Sequence, residues 1–217
     1  MKPILTYLGG TGILLLMTVS GAHSASLNID EFIANASIRY EKTFTINAPI
    51  ELWNRLLDNP ILVGKLWDLY DFTPQYRVTR KGAGIHILDP TGIEGDLVEI
   101  HKDIFSRFFY GSGNMNNWHI PLSLKGKALF LIKHSAGSGQ VAVTLSIYGE
   151  GGDTVITRLL LKAVSPILTY YINRRVTRNL ADFEKIVDDI VHKPEKIRPI
   201  ISGRFLIDFE RLLKTSG

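Results

Sequence analysis

Glu99, His101 and Asp103 stand at every second position of a run with strand character. Side chains alternate along a strand, so this spacing puts two carboxylates and an imidazole on one face. Such a trio could do general acid–base work, with an acid orienting the histidine. A solvated strand face gives the same pattern, and Val98 and Ile100 would make the better core face. Asn179 interrupts an apolar helical stripe. It could bond a ligand in a cavity or satisfy a structural partner. Arg175, on the border of that stripe, could anchor an anionic head group. It could equally lay its stem on the core and keep its charge in water. Trp118 follows the polar run 111–117, a place where an aromatic can serve a cavity mouth.

Other chemistries lack their residues. The chain has no Cys, hence no disulfide, thiolate metal site or cysteine nucleophile. His86, His101, His119, His134 and His192 show no paired metal-ligand spacing, and no metal or cofactor is expected. No Gly-x-Ser-x-Gly elbow occurs. The glycine stretches lack a phosphate-loop ending or a dinucleotide fingerprint. Nucleic acid is not an expected partner, because basic residues are not organised with aromatics on one strand face.

The elements that must position these residues can be read in order. Asn28 caps a short helix from Ile29, and Ile38 to Ile46 alternates as a strand. Asn47-Ala48-Pro49 opens a helix carrying Leu52, Trp53, Leu56 and Leu57, and Asn59-Pro60 opens a second. From Thr73 the period drops to two. Expected strands are Tyr76–Arg80, His86–Leu88, Asp96–Lys102, Arg107–Gly111, Leu122–His134, Gln140–Tyr148 and Val155–Lys162. Glycine clusters at 82–84, 111–114, 136–139 and 149–153 read as the turns of an antiparallel meander. Ser165-Pro166 reads as cap and first residue of a long helix to about Val191. Its apolar stripe holds Leu168, Ile172, Val176, Leu180, Phe183, Ile186, Val187 and Ile190, with Tyr171 farther round.

Lys2, the apolar run from Ile4 to Val19, and small Ala22 and Ser24 have the order of a secretory signal cleaved after Ser24. The protein is then expected in the periplasm or outside the cell. The alternative is an uncleaved N-terminal anchor facing the periplasm. The charge is uneven: residues 154–217 hold 12 basic and 7 acidic side chains. That balance fits either transient contact with an anionic membrane surface or an ordinary solvated surface.

The segment Phe44-Thr45-Ile46-Asn47-Ala48-Pro49-Ile50-Glu51-Leu52-Trp53, and the Ser-Pro entry into the long helix, resemble the START-like (SRPBCC) superfamily, which includes the birch-pollen allergen family. The resemblance implies an α+β helix-grip fold. A curved antiparallel sheet of about six to seven strands would wrap a long C-terminal helix, with two short helices after the first strand. With the N-terminal signal pattern and the apolar spacing of Phe205, Leu206, Phe209, Leu212 and Leu213, the expected division is a signal peptide (1–24), an extension (25–37), a ligand-binding domain (38–192) and a tail with a short amphipathic helix (193–217). The resemblance implies an apolar cavity for a hydrophobic small molecule or lipid, touching residues such as Phe108, Tyr110, Trp118, Phe130, Ile147, Tyr171, Ile172, Arg175, Val176 and Asn179. Binding or transport is the first expectation. A cyclase- or hydrolase-like enzyme using His101 with Glu99 or Asp103, or a module docking to a membrane or partner, are the alternatives.

Overall fold

The computed structural model describes residues 27–116, 124–151 and 155–214. Seven strands form one antiparallel sheet: β1 (Ile38–Ile46), β2 (Arg77–Lys81), β3 (Gly84–Asp89), β4 (Ile93–Lys102), β5 (Ser106–Met115), β6 (Leu124–Ala136) and β7 (Val141–Gly151). Their order across the sheet is β1-β7-β6-β5-β4-β3-β2, so the first strand pairs with the last. Two helices, α2 (Ile50–Asp58) and α3 (Pro60–Leu69), connect β1 to β2. The long α4 (Val155–His192) lies against the inner face of the sheet, and α5 (Arg204–Leu213) follows a single 3₁₀ turn. This is an α+β helix-grip fold.

The faces are fixed by contacts. Tyr40 Oη donates to Asn173 Oδ1 at 3.0 Å and Lys42 bonds Thr177, so the even positions of β1 face α4. Register carries that parity across the sheet: Tyr40, Ile147, Phe130 and Phe109 align on the inner face. Arg39, Tyr148, Leu129 and Tyr110 align on the outer face. A short helix, α1 (Ile29–Asn35), covers that outer row. Asn28 caps it, its Oδ1 accepting from the Glu31 amide, and Arg39 holds the Ile33 carbonyl at 2.6 Å.

Two apolar cores result. The larger gathers α2, α3, the C-terminal part of α4 and α5, with Leu52, Leu62, Leu66, Ile186, Ile197 and Phe209 among its buried members. The smaller lies on the outer face, where Phe32 of α1 packs on Leu129 and Leu131. The residues after α4 are therefore part of the main core, because Phe209 and Leu212 leave α5 no stable exposed alternative.

Three expectations are corrected. Residues Val155–Lys162 are helical, so α4 begins ten residues before the Ser165-Pro166 start that the sequence suggests. A short apolar run bounded by glycines suits strand or helix equally, and periodicity cannot decide between them. Pro166 lies inside the helix and removes one backbone bond, which an exposed turn tolerates. The glycines at 111–114 and 149–151 lie in strands, not turns. Gly95, Gly113, Gly126 and Gly151 pair in sequence across β4, β5, β6 and β7, giving a row without side chains on the inner face. A Cβ on Gly113 would sit 2.3 Å from the Glu94 carbonyl oxygen, and one on Gly151 would sit 2.3 Å from Leu161 Cδ1. The sheet curls so tightly there that only glycine fits. Finally, the β4–β5 register shifts between Glu99 and His101, a bulge that reverses the alternation.

Candidate functional site

That bulge separates the acid–base trio. Glu99 stays on the inner face, where Arg107 Nη1 donates to it at 3.3 Å. His101 lies on the outer face, its ring 4.7 Å from that of Phe108. Asp103 closes the β4–β5 turn, accepting from the Phe105 amide at 2.7 Å and the Ser106 amide at 2.6 Å. His101 bonds it at 2.8 Å. With the His101 bond first in weight, these partners hold the Asp103 carboxyl well below the usual range. The pair is exposed and turned away from α4, so the three side chains do not share a cavity.

The inner face between α4 and the sheet has another character. Toward its C-terminus α4 is packed solid, with Ile186, Val187 and Ile190 buried. In its middle the apolar side chains are less completely buried. Ile172, Val176 and Leu180 on the helix, and Leu97, Phe109, Phe130 and Leu145 on the inner sheet, are all half-buried. None of them packs into either core. Ile147 lies at the same level and is buried.

Polar ties bracket this apolar surface on both sides. On the β1 side stand the Tyr40–Asn173 and Lys42–Thr177 bonds. On the β3 side Arg175 pairs with Asp89 and donates to Thr91 Oγ1 at 2.7 Å. Asp89 is almost fully buried, so the guanidinium meets a carboxylate of the protein itself. Asn179 Nδ2 donates to Tyr76 Oη at 2.8 Å, while Asn179 Oδ1 is buried without a hydrogen-bond partner. Burial pushes the Tyr76 phenol above its ordinary pKa.

A group that the sequence reading missed closes the α2 end of the inner face. Arg107 is 2% exposed and shares a face with Phe109. It donates to Asp58 at 2.6 Å and to the Asn54 carbonyl at 3.1 Å, tying β5 to the end of α2. Burial alone would raise the Asp58 carboxyl, but hydrogen bonds from Arg107 and Lys102 hold it below its ordinary value. His134 is also buried nearby, with its ring 6.2 Å from that of Trp53 and neither nitrogen in a well-formed hydrogen bond. The available signal was parity: Arg107 and Phe109 are two apart on one strand.

The residues expected to touch a ligand divide by face. Phe130, Ile147, Ile172, Val176, Asn179 and Arg175 come together between helix and sheet. Phe108 and Tyr110 lie on the outer face against α1, Tyr110 with its ring 6.0 Å from that of Phe32. Tyr171 is 42% exposed, its ring edge-on to that of Tyr170. Trp118 lies outside the described residues.

A groove of about 950 Å³ opens on the outer face beside α1, lined by Lys81, His86, Asp96, Tyr110 and Lys127 among others. Several of its charges satisfy one another. Asp96 accepts from Lys81 at 2.7 Å and bonds His86 at 2.8 Å, and Glu94 lies 3.3 Å from the same imidazole. Its lining is mixed, with these charged side chains beside Leu27, Phe32 and Tyr110.

Neither a protein-family model nor a curated protein matches the chain. Solved structures do. A conserved protein from Geobacillus kaustophilus is 12% identical with a TM-score of 0.49, covering 70% of this chain and 96% of its own. A START superfamily protein from Mycobacterium smegmatis is 11% identical with a TM-score of 0.45, covering 70% of this chain and 98% of its own. The ZhuI aromatase/cyclase from Streptomyces sp. R1128 is 12% identical with a TM-score of 0.42, covering 72% of this chain and 96% of its own. The architecture is the helix-grip fold. Its strand order and long C-terminal helix carry that statement, and fold alone does not choose a function.

Proposed function

We propose that the protein binds or carries a hydrophobic small molecule or lipid between α4 and the inner face of the sheet, outside the cytoplasm. One observation carries this reading. Seven apolar side chains, Leu97, Phe109, Phe130, Leu145, Ile172, Val176 and Leu180, face a common space yet pack into neither core. Protein interiors are close-packed, so an apolar surface left unfilled between two rigid elements is suited to an apolar occupant. The polar ties at its sides fix the helix over that surface. Asn179 Oδ1, without a partner, suits a ligand hydroxyl. A ligand this apolar partitions into membranes rather than water. The N-terminal Lys2, apolar run and small residues support export.

Native mass spectrometry of the full chain, purified without detergent from the envelope or periplasm of its expression host, tests this, followed by organic extraction. A co-purifying lipid or terpenoid near one per chain is the expected result. A chain that stays free of ligand, and takes up none from added lipid extract, would refute carriage.

A further inference from the structure

From Val155 to Ala181 the sequence holds Arg158, Lys162, Arg174, Arg175 and Arg178, with no acidic residue. The acids of α4, Asp182, Glu184, Asp188 and Asp189, all follow. Arg175 turns inward to Asp89. Arg174 and Arg178 do not: both are exposed. Among the described residues neither has an ion-pair partner, and the Arg178–Asp182 pair that their spacing allows is not formed, Asp182 Oδ2 being buried without a bond.

Those two arginines continue a stripe of exposed apolar and aromatic side chains. At 100° per residue, Ile167, Tyr170, Tyr171, Arg174 and Arg178 fall on one side of α4, opposite Val176. Ile167 is 56% exposed and Tyr170 is 62% exposed. A surface that pairs unpartnered arginines with tyrosines and an isoleucine has a definite chemistry. Tyrosine settles where an apolar ring meets polar head groups, and arginine pairs with phosphate there.

We propose that the outward face of the N-terminal half of α4 docks the protein on an anionic lipid bilayer. The proposal stands whether or not the inner cavity holds a ligand.

The absence of native cysteine gives a clean test on the full chain. A nitrobenzoxadiazole label is placed on Tyr170→Cys, and in a separate variant on Ile104→Cys, in the exposed β4–β5 turn. Each is titrated with vesicles of phosphatidylcholine alone or with about one-third phosphatidylglycerol. The label at 170 should shift to the blue and brighten only with anionic vesicles, and the signal should vanish in high salt. Arg174→Gln with Arg178→Gln should weaken the titration by about thirtyfold, at roughly fivefold per cation. Far-UV circular dichroism confirms that each variant is folded. Equal response on neutral vesicles, or no loss on removing both arginines, would overturn the proposal. So would a response at 104 in place of 170. A blue shift at 170 that rises with protein concentration in the absence of lipid would assign the face to a second copy of the chain instead.

Discussion

Replacing Ile172 by Trp distinguishes an unfilled cavity from a packed core without knowing the ligand. Ile172 is half-buried on the inner side of α4 and belongs to neither core. The indole adds on the order of 100 Å² of apolar surface, which at ~25 cal/mol/Å² is worth about 2.5 kcal/mol if it enters empty space. In a filled core the same change costs about 1–3 kcal/mol through overpacking. The two cases differ in sign. Ile186→Trp is the internal reference: Ile186 is 0% exposed, so that substitution must destabilise. For a domain of this size 1 kcal/mol moves Tm by roughly 2–4 °C. The assay is thermal unfolding of ligand-stripped protein, followed by retention of extracted lipid. Ile172→Trp should hold or raise Tm while lowering retention by tens of fold, as the ring takes the ligand's place. A Tm loss matching that of Ile186→Trp, with retention unchanged, would refute the cavity.

Other perturbations test the supports. Arg175→Met strands the buried Asp89 carboxylate; since Arg175 is 29% exposed and Thr91 still donates, a loss of about 2 kcal/mol in urea unfolding is expected, largely recovered by adding Asp89→Asn. Burial, reinforced by Arg107, lowers the His134 pKa from 6.5. The unfolded chain then binds more protons than the folded one below pH 6.5, so this residue's contribution to stability is present above that pH and lost as pH falls through the lowered value. Urea titrations of His134→Leu should show a shallower acid-side fall than the parent protein, and an identical fall would rule out His134 as its source. Gly113→Ala drives a Cβ to 2.3 Å from a backbone oxygen and should cost about 1–3 kcal/mol by the same measurement. Phe32→Ala should release α1 locally, seen as faster amide exchange at Leu129 and Leu131 with a smaller change in the global transition.

Local signals were legible where one physical rule acted alone. The alternation of β1 and the Asn59-Pro60 start of α3 are found where they were expected. Ambiguity arose where both faces of a strand are apolar. Phe108, Phe109 and Tyr110 run consecutively, and α1 covers the outer pair, so composition could not say which aromatic faces α4. Parity also fails across a bulge, which separated Glu99 from His101. Glycine misled in a third way. Its usual role is the tight turn, but at Gly113 and Gly126 it serves sheet curvature, which depends on neighbours brought together only by register.

The organisation of α4 joins these points. Its C-terminal part carries the apolar residues that complete the main core, and there the helix is anchored. Its middle is held by side-chain bonds to β1 on one side and to Asp89 and Tyr76 on the other. Such bonds fix the height of the helix above the half-buried apolar side chains beneath it. The basic, tyrosine-bearing face lies on the opposite side of the same stretch. A helix anchored at one end, spaced by polar ties in its middle and charged on its outer face can therefore keep an apolar site open while its other side meets a charged surface. Severing Arg175 from Asp89 while leaving the outer arginines intact separates the two roles: ligand retention should fall while vesicle docking by the Tyr170 label stays the same. Joint loss of both in a protein that remains folded would show that the spacing of α4 also sets the docking face.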